Sequence, residues 1–314
     1  MAIDTKGKAF EYATALAFYN LIFEQGGLVS IREDSSFQNA RKAFSLLDNI
    51  EKNKLHYAAI SASQVVINLE PSLRNMTSEL TISIAPDYFG QDGDVRDVIL
   101  SKEDWEIGIS CKHNHNALKH QRLSDRIDFG VEWVGHPVSE NYWNSIAPIF
   151  QMLQQFRESG VNWRDLSEYG ISKENDIYRP LLTSFLEEFD NLDNSYPDLA
   201  PRFMEYLAGR RDFYKFVMNE IHQEVHIYSY NLHGDLGLTG DLPIIQLPTR
   251  FLRKDWKINR DGTTSSNTLI IEMDNDWIIG LRIHSAASRV ETSLKFDTQP
   301  IRLPVELVPI VVQY

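Results

Sequence analysis

The chain has 314 residues, 43% of them apolar, which is enough to bury a full core in one large domain or two. A single cysteine, Cys111, excludes a disulfide framework, and no stretch resembles a signal peptide or a membrane span, so a cytoplasmic protein is expected. The net charge of −13 argues at first against a nucleic-acid partner but does not decide the matter, because many of the acids cluster elsewhere, as in EEFDNLDNSYPD at 187–198, which leaves room for a positive local field near 112–126 and 250–260.

Residues 5–25 carry apolar side chains at helical spacing and stop at Gly26-Gly27; a second helical region is expected from about 36 to 70, through Ala43, Leu46, Leu47 and Ile50. Leu80–Ile84 reads as a strand, followed by the loop APDYFGQDG. Two β-branched runs, Val95–Leu100 and Ile107–Cys111, flank the polar turn SKED and predict a hairpin. Side chains alternate across a strand, so Glu106, Gly108, Ser110 and Lys112 share one face, while Ile107, Ile109 and Cys111 fill the other.

Asp97 opens the first run and Lys112 ends the second. A carboxylate and an ammonium at the ends of paired strands suit metal-assisted phosphodiester hydrolysis. The carboxylate binds a hard cation such as Mg²⁺, and the lysine orients or deprotonates the attacking water. Asp94, three residues before Asp97, binds metal, orients Arg96 or shapes the turn on sequence grounds alone. Asp87 of the Pro86-Asp87 pair is set aside, because a glycine-containing loop separates it from the strand that Asp97 begins.

Beyond Lys112 lie His113, Asn114, His115, Lys119, His120, Arg122 and Arg126. A helix over about 116–128 is expected, presenting basic and amide groups to phosphates. His115 and His120 are five apart but lack the further ligands of a tetrahedral zinc set. Residues 140–230 read as mainly helical, broken at Gly160, Gly170, Pro180 and 194–201, with aromatics from Tyr142 to Tyr214 at a spacing that predicts core. The last ninety residues alternate as strands. Between HIYSYNLHGDLGLTGDLPIIQLP and NTLIIEMDNDWIIGLRIHSAAS, the segment RFLRKDWKINRDG sets Arg250, Arg253, Lys254, Lys257 and Arg260 against two acids; it reads as a phosphate-contacting patch or a solvated loop.

The Asp97-to-Lys112 interval resembles the PD-(D/E)xK nuclease motif, with Ser110 in the usual acid position, so the tripeptide is SCK. The strings GDVRDVIL, WEIGISCKHNH, ALKHQRLS, IDFG and RIHSAAS…ETSLKFD resemble the HaeIII-type restriction endonucleases, from about residue 6 to about residue 297. That resemblance implies an α/β, restriction-endonuclease-like core with a central mixed sheet flanked by helices, a helical insertion and a strand-rich C-terminal recognition region. The expected division is 1–135, 136–230 and 231–314. It also implies cleavage of double-stranded DNA at GGCC with Mg²⁺, and a cognate methyltransferase as a functional rather than physical partner. Asp97 is then a metal ligand, Lys112 positions water, and Glu11 or Asp94 supplies the acid that Ser110 does not; a solvated helical glutamate is the alternative for Glu11. With G·C pairs to read, the strand-rich end carrying Arg282, His284, Ser285, Arg289 and Lys295 is where sequence reading is expected. A repair or structure-specific nuclease, or a non-catalytic DNA-binding or partner-binding protein on this scaffold, are the competing readings.

Overall fold

The structure is a computed structural model that describes residues 3–74, 78–86, 94–237 and 242–314; Asp87 lies outside the described residues. In chain order its regular elements begin with α1 (Ile3–Glu24), β1 (Val29–Ile31), α2 (Ser35–Ser45), α3 (Asn49–Leu69), α4 (Pro71–Arg74), β2 (Leu80–Ile84), β3 (Val98–Lys102) and β4 (Trp105–His113). They continue with β5 (His120–Ser124), α5 (Glu140–Glu158), α6 (Arg179–Ser195), α7 (Leu199–Ala208), β6 (Phe213–Asn219) and β7 (Glu224–Tyr230). The chain closes with β8 (Phe251–Ile258), β9 (Thr264–Met273), β10 (Ile278–His284), β11 (Ser293–Arg302) and β12 (Ile310–Gln313). Among the described residues no helix is long and apolar enough to cross a membrane.

The chain divides into two compact units, each assembled from stretches that are not consecutive in sequence. The first contains residues 1–116, 209–246 and 305–314; the second contains 117–208 and 247–304. The first unit is a seven-stranded mixed sheet in the order β1-β2-β3-β4-β6-β7-β12. Helices α1, α2 and α3 supply Phe10, Ala13, Ala17, Phe18, Phe37, Ala58, Ala62 and Val66 to one core with Ile82, Leu100, Ile109, Cys111, Phe216 and Ile227 of the sheet. Alanines let α1 approach β4 closely enough for the Cys111 thiol to reach the Thr14 hydroxyl oxygen at 3.5 Å. The helical region of 36–70 is two helices because Asp34 and Asp48 each cap one: their carboxylates accept from Phe37 N at 3.1 Å and Glu51 N at 2.8 Å, contributing on the order of 1 kcal/mol each.

The predicted hairpin is β3–β4, paired from Val98↔Ile109 to Lys102↔Trp105 around Glu103, whose φ is 54°. The expectation that 140–230 is helical fails at its end. Residues 213–230 are the β6–β7 hairpin, with β6 parallel to β4 and in register from Gly108↔Phe213 to His113↔Met218. Aromatic residues suit a strand as well as a helix, and only the edge of β4 supplies the backbone partners that decide between them.

The second unit holds the five-stranded antiparallel sheet β5-β11-β10-β9-β8 together with α5, α6 and α7. Its aromatics are core, as their spacing predicts: Phe129, Trp133, Phe185, Phe189 and Phe203 are fully buried and pack ring against ring, mostly tilted. The helix expected over 116–128 is instead β5, which pairs with β11 from Ser124↔Ser293 to His120↔Asp297. Leu123 and Gln121 are buried and His120 and Arg122 are not, a period of two that helical spacing does not give. RFLRKDWKINRDG is likewise no loop, because most of it is edge strand β8.

Candidate active site

Asp97 stands where β3 begins, its backbone N–H donating to Ile109 O at 2.8 Å, and this places its side chain at the end of β4. Three donors converge on Asp97 Oδ2: the Cys111 backbone N–H at 2.6 Å, the Lys112 ammonium at 3.1 Å and the Ser110 hydroxyl at 3.2 Å. All three members of the SCK tripeptide thus hold one carboxylate. Ser110, 1% exposed, is a positioning hydroxyl in the place of an acid.

Glu11 joins this group from α1. It is 6% exposed and accepts from Lys8 Nζ at 3.2 Å. Burial first, and then the charge of Asp97 nearby, push its carboxyl up to about 8 against the pull of Lys8 and Lys112. It is therefore not a solvated helical glutamate. Burial works against the Lys112 ammonium, but Asp97 and then Glu11 outweigh it, and the lysine is held charged, its pKa raised. The charge of Asp97 raises the cost of ionising Glu11, and carboxylate oxygens are the donors that a hard divalent cation such as Mg²⁺ takes, although among the described residues no group of three or more His, Cys, Asp or Glu side chains is gathered to hold one.

Asp94 does not join them. Its carboxylate forks onto Arg96, with Nε at 2.8 Å and Nη2 at 2.7 Å, and accepts the Arg96 backbone N–H at 3.1 Å. Arg96 is buried and also donates to Glu106 at 3.0 Å; Arg211 meets the same Glu106 oxygen. The stem of Arg96 lies where a side chain at position 108 would be, since a Cβ on Gly108 would come 2.1 Å from Arg96 Cδ. Of the roles that sequence left open for Asp94, the structure shows orientation of Arg96.

One residue near the site was missed. Parallel pairing sets Lys215 beside Ser110, 2% exposed, with its ammonium donating to Asn116 O at 3.1 Å. Burial, and after it the charge of Lys112, push this lysine well below the usual range. The aromatic and apolar run FYKFVMN, buried on both faces over its first four residues, was the available strand signal, hidden by the helical reading of that stretch.

His113 and Asn114 brace the end of β4. His113 is 9% exposed with Nε2 3.1 Å from Glu220, and Asn114, at φ 58°, accepts the Glu220 backbone N–H at 2.9 Å. His115 is half-buried in the turn that follows.

The second unit gathers most of the remaining candidates on one sheet face. Cross-strand register puts His120, Asp297 and Arg282 in one row, and Arg122, Lys295 and His284 in the row beside it. Side chains two apart on a strand share a face, so the six form a patch over β5, β11 and β10. The opposite face, with Leu123, Phe296, Leu281 and Ile283, is buried. Ser285 sits past the end of β10, its N–H donating to Tyr178 Oη at 3.0 Å. Arg250 and Arg253 are exposed beside Asp274 and Asp255. Two lysines are not available in this way: Lys254 is 12% exposed and paired with Asp190 at 2.9 Å and with Asp193, and Lys119 is buried with its ammonium 3.6 Å over the Tyr206 ring.

The profile of the HaeIII restriction endonuclease family matches residues 7–304, which takes in Glu11, Asp97, Lys112 and the whole basic face. The chain belongs to this family. It is 36% identical to the type II restriction enzyme HaeIII of Haemophilus aegyptius over 97% of its own length and 96% of that protein. No solved structure matches it. Family membership makes it a restriction endonuclease, a hydrolase acting on DNA as part of restriction-modification, and the mixed α/β architecture is consistent with a restriction-endonuclease-like fold.

Proposed function

We propose that this chain is a type II restriction endonuclease that hydrolyses both strands of duplex DNA at GGCC with Mg²⁺, through Asp97, Glu11 and Lys112 on a restriction-endonuclease-like core. The observation that carries the reading is the convergence of Ser110, Cys111 and Lys112 on Asp97 Oδ2 with Glu11 alongside, in a chain of the HaeIII family.

Asp97 and Glu11 would hold Mg²⁺, which supplies polarisation of the phosphate and activation of water. Ser110 and the Cys111 N–H fix the Asp97 rotamer, so the carboxylate is preorganised. Lys112, held charged by both acids, acts as a fixed cation that orients water and offsets charge on the phosphate rather than as a proton acceptor. The face of His120, Arg122, Arg282, His284 and Lys295 reads the site, since guanine O6 and N7 take arginine or lysine donors. Arg250 and Arg253, with Ser285, are phosphate contacts. Such an enzyme works in the cytoplasm, with a methyltransferase protecting the same sequence.

Digestion of a sequenced plasmid with Mg²⁺, followed by end-mapping, tests this. Discrete fragments ending at GGCC are expected from the protein and none from Lys112→Ala, which should still retard a GGCC duplex. Unspecific nicking would point to a repair or structure-specific nuclease. Binding without any product over all Mg²⁺ concentrations would leave a non-catalytic DNA-binding protein and sink the proposal.

A further inference from the structure

The basic face has an acid at its centre. Asp297 is 8% exposed on β11, flanked by His120 on one side and Arg282 on the other. Its Oδ2 lies 3.0 Å from Arg282 Nη2 and 3.2 Å from His284 Nε2; its Oδ1 lies 3.9 Å from Lys295 Nζ and meets His120 Nδ1. Four of the five basic side chains on the face therefore share one carboxylate. Burial pushes that carboxyl up, but His120, then Arg282 and His284, outweigh it and hold it well below the usual carboxylate range, so it is charged wherever the protein is folded near neutrality.

A carboxylate in this place opposes plain phosphate binding, because it cancels part of the charge that would release counterions from DNA. Its benefit lies elsewhere. Arginine and lysine side chains lose rotamer entropy on being fixed, and a shared acceptor takes that loss before DNA arrives. Arg282 stays 52% exposed while one corner of its guanidinium is tied down, so it is aimed as well as accessible. An arrangement that lowers affinity for any duplex while fixing donor directions favours one base sequence over others.

We propose that Asp297 is a positioning residue for sequence readout: it holds Arg282, His284, His120 and Lys295 in the geometry that selects the target, at the expense of indiscriminate binding. This rests on the reading of the β5–β11–β10 face as the recognition surface.

The test compares binding, by fluorescence anisotropy in EDTA, to a 20-bp duplex centred on the mapped cleavage site and to one with those bases scrambled. For Asp297→Asn we expect the scrambled duplex to bind equally or up to about tenfold more tightly, with the ratio of specific to scrambled affinity falling at least about tenfold. Asp297→Glu keeps the charge but displaces the acceptor, and should lower the same ratio about threefold. A ratio unchanged in both variants overturns the proposal, and so does a parallel loss of both affinities, which is what a merely structural residue would give. If Asp297→Asn does not fold, as judged by its thermal transition, Asp297→Glu alone decides. Arg282→Ala and Lys295→Ala separate the two levels. If neither changes binding to either duplex, the face does not read DNA; if they lower the ratio while the Asp297 variants leave it intact, only the role of Asp297 falls.

Discussion

Asp97 in the first unit and Asp297 in the second are both carboxylates held on a sheet by neighbouring strands, with opposite company. Asp97 is fixed by its own hairpin, shares its surroundings with a second acid, Glu11, and has one ammonium, Lys112, in contact. Asp297 is surrounded by two histidines, an arginine and a lysine from three strands. The first arrangement has a surplus of carboxylate oxygen and suits a cation; the second has a surplus of positive charge and suits an anion. On the proposed reading, one chemical group is turned to chemistry in one unit and to recognition in the other by what faces it. This division can be broken experimentally.

The largest effect belongs to the first acid. Asp97→Asn should lower the cleavage rate by about 10³-fold or more, while binding to the cognate duplex in EDTA is kept or strengthened, because a negative charge leaves the site. A comparable loss of binding would show that Asp97 supports the fold or the recognition face instead of the reaction.

Glu11 should come next and bring a pH dependence with it. Its folded value of about 8 lies above the ordinary 4.5, so between these limits the folded chain retains a proton that the unfolded chain has lost. Stability from this group is thus greatest at low pH and declines as pH rises through the window, and a cation has to displace the proton. Cleavage at subsaturating Mg²⁺ should therefore climb with pH towards about 8, and raising Mg²⁺ should move the midpoint down. Glu11→Gln should cut about 10²-fold more slowly and lose that dependence; pH-rate profiles of the two proteins at two Mg²⁺ concentrations check it.

Gly108→Ala tests the brace behind the hairpin. A methyl group 2.1 Å from Arg96 Cδ has to push the buried guanidinium off Asp94 and Glu106. A loss of about 1–3 kcal/mol is expected, visible as a lowered thermal midpoint. The smallest effect is predicted at the exposed end of the second sheet. Arg253 pairs with Asp255 where both are half exposed, so Arg253→Ala should change stability by less than about 0.5 kcal/mol and reduce the salt slope of DNA binding by no more than about one.

The β3–β4 hairpin and the contact between its Asp97 and Lys112 ends were legible in advance because they are local. Alternation assigned Ile107, Ile109 and Cys111 to the core, and the fifteen positions from Asp97 to Lys112 span one hairpin whose pairing brings its ends together. Glu11 came only through family resemblance, since nothing in the spacing of a helix tells which partner covers it. Residues 116–128 and 213–230 were misread for one shared reason. Their polar and aromatic residues are compatible with either period, and the deciding backbone partners, Ser293–Asp297 and Gly108–His113, lie about a hundred residues or more away along the chain.

By itself, then, the sequence determined which segments could be strands, which carboxylate and lysine end the central hairpin, and which family the chain belongs to. Only the tertiary structure decided that Ser110 serves Asp97, that Asp94 serves Arg96, that Lys254 is taken up by Asp190 and Asp193, and that Asp297 gathers the basic face. The physical reason is that a charged side chain's role is set by the groups within a few ångströms of it, and those come from strands and helices that meet only when the chain has folded.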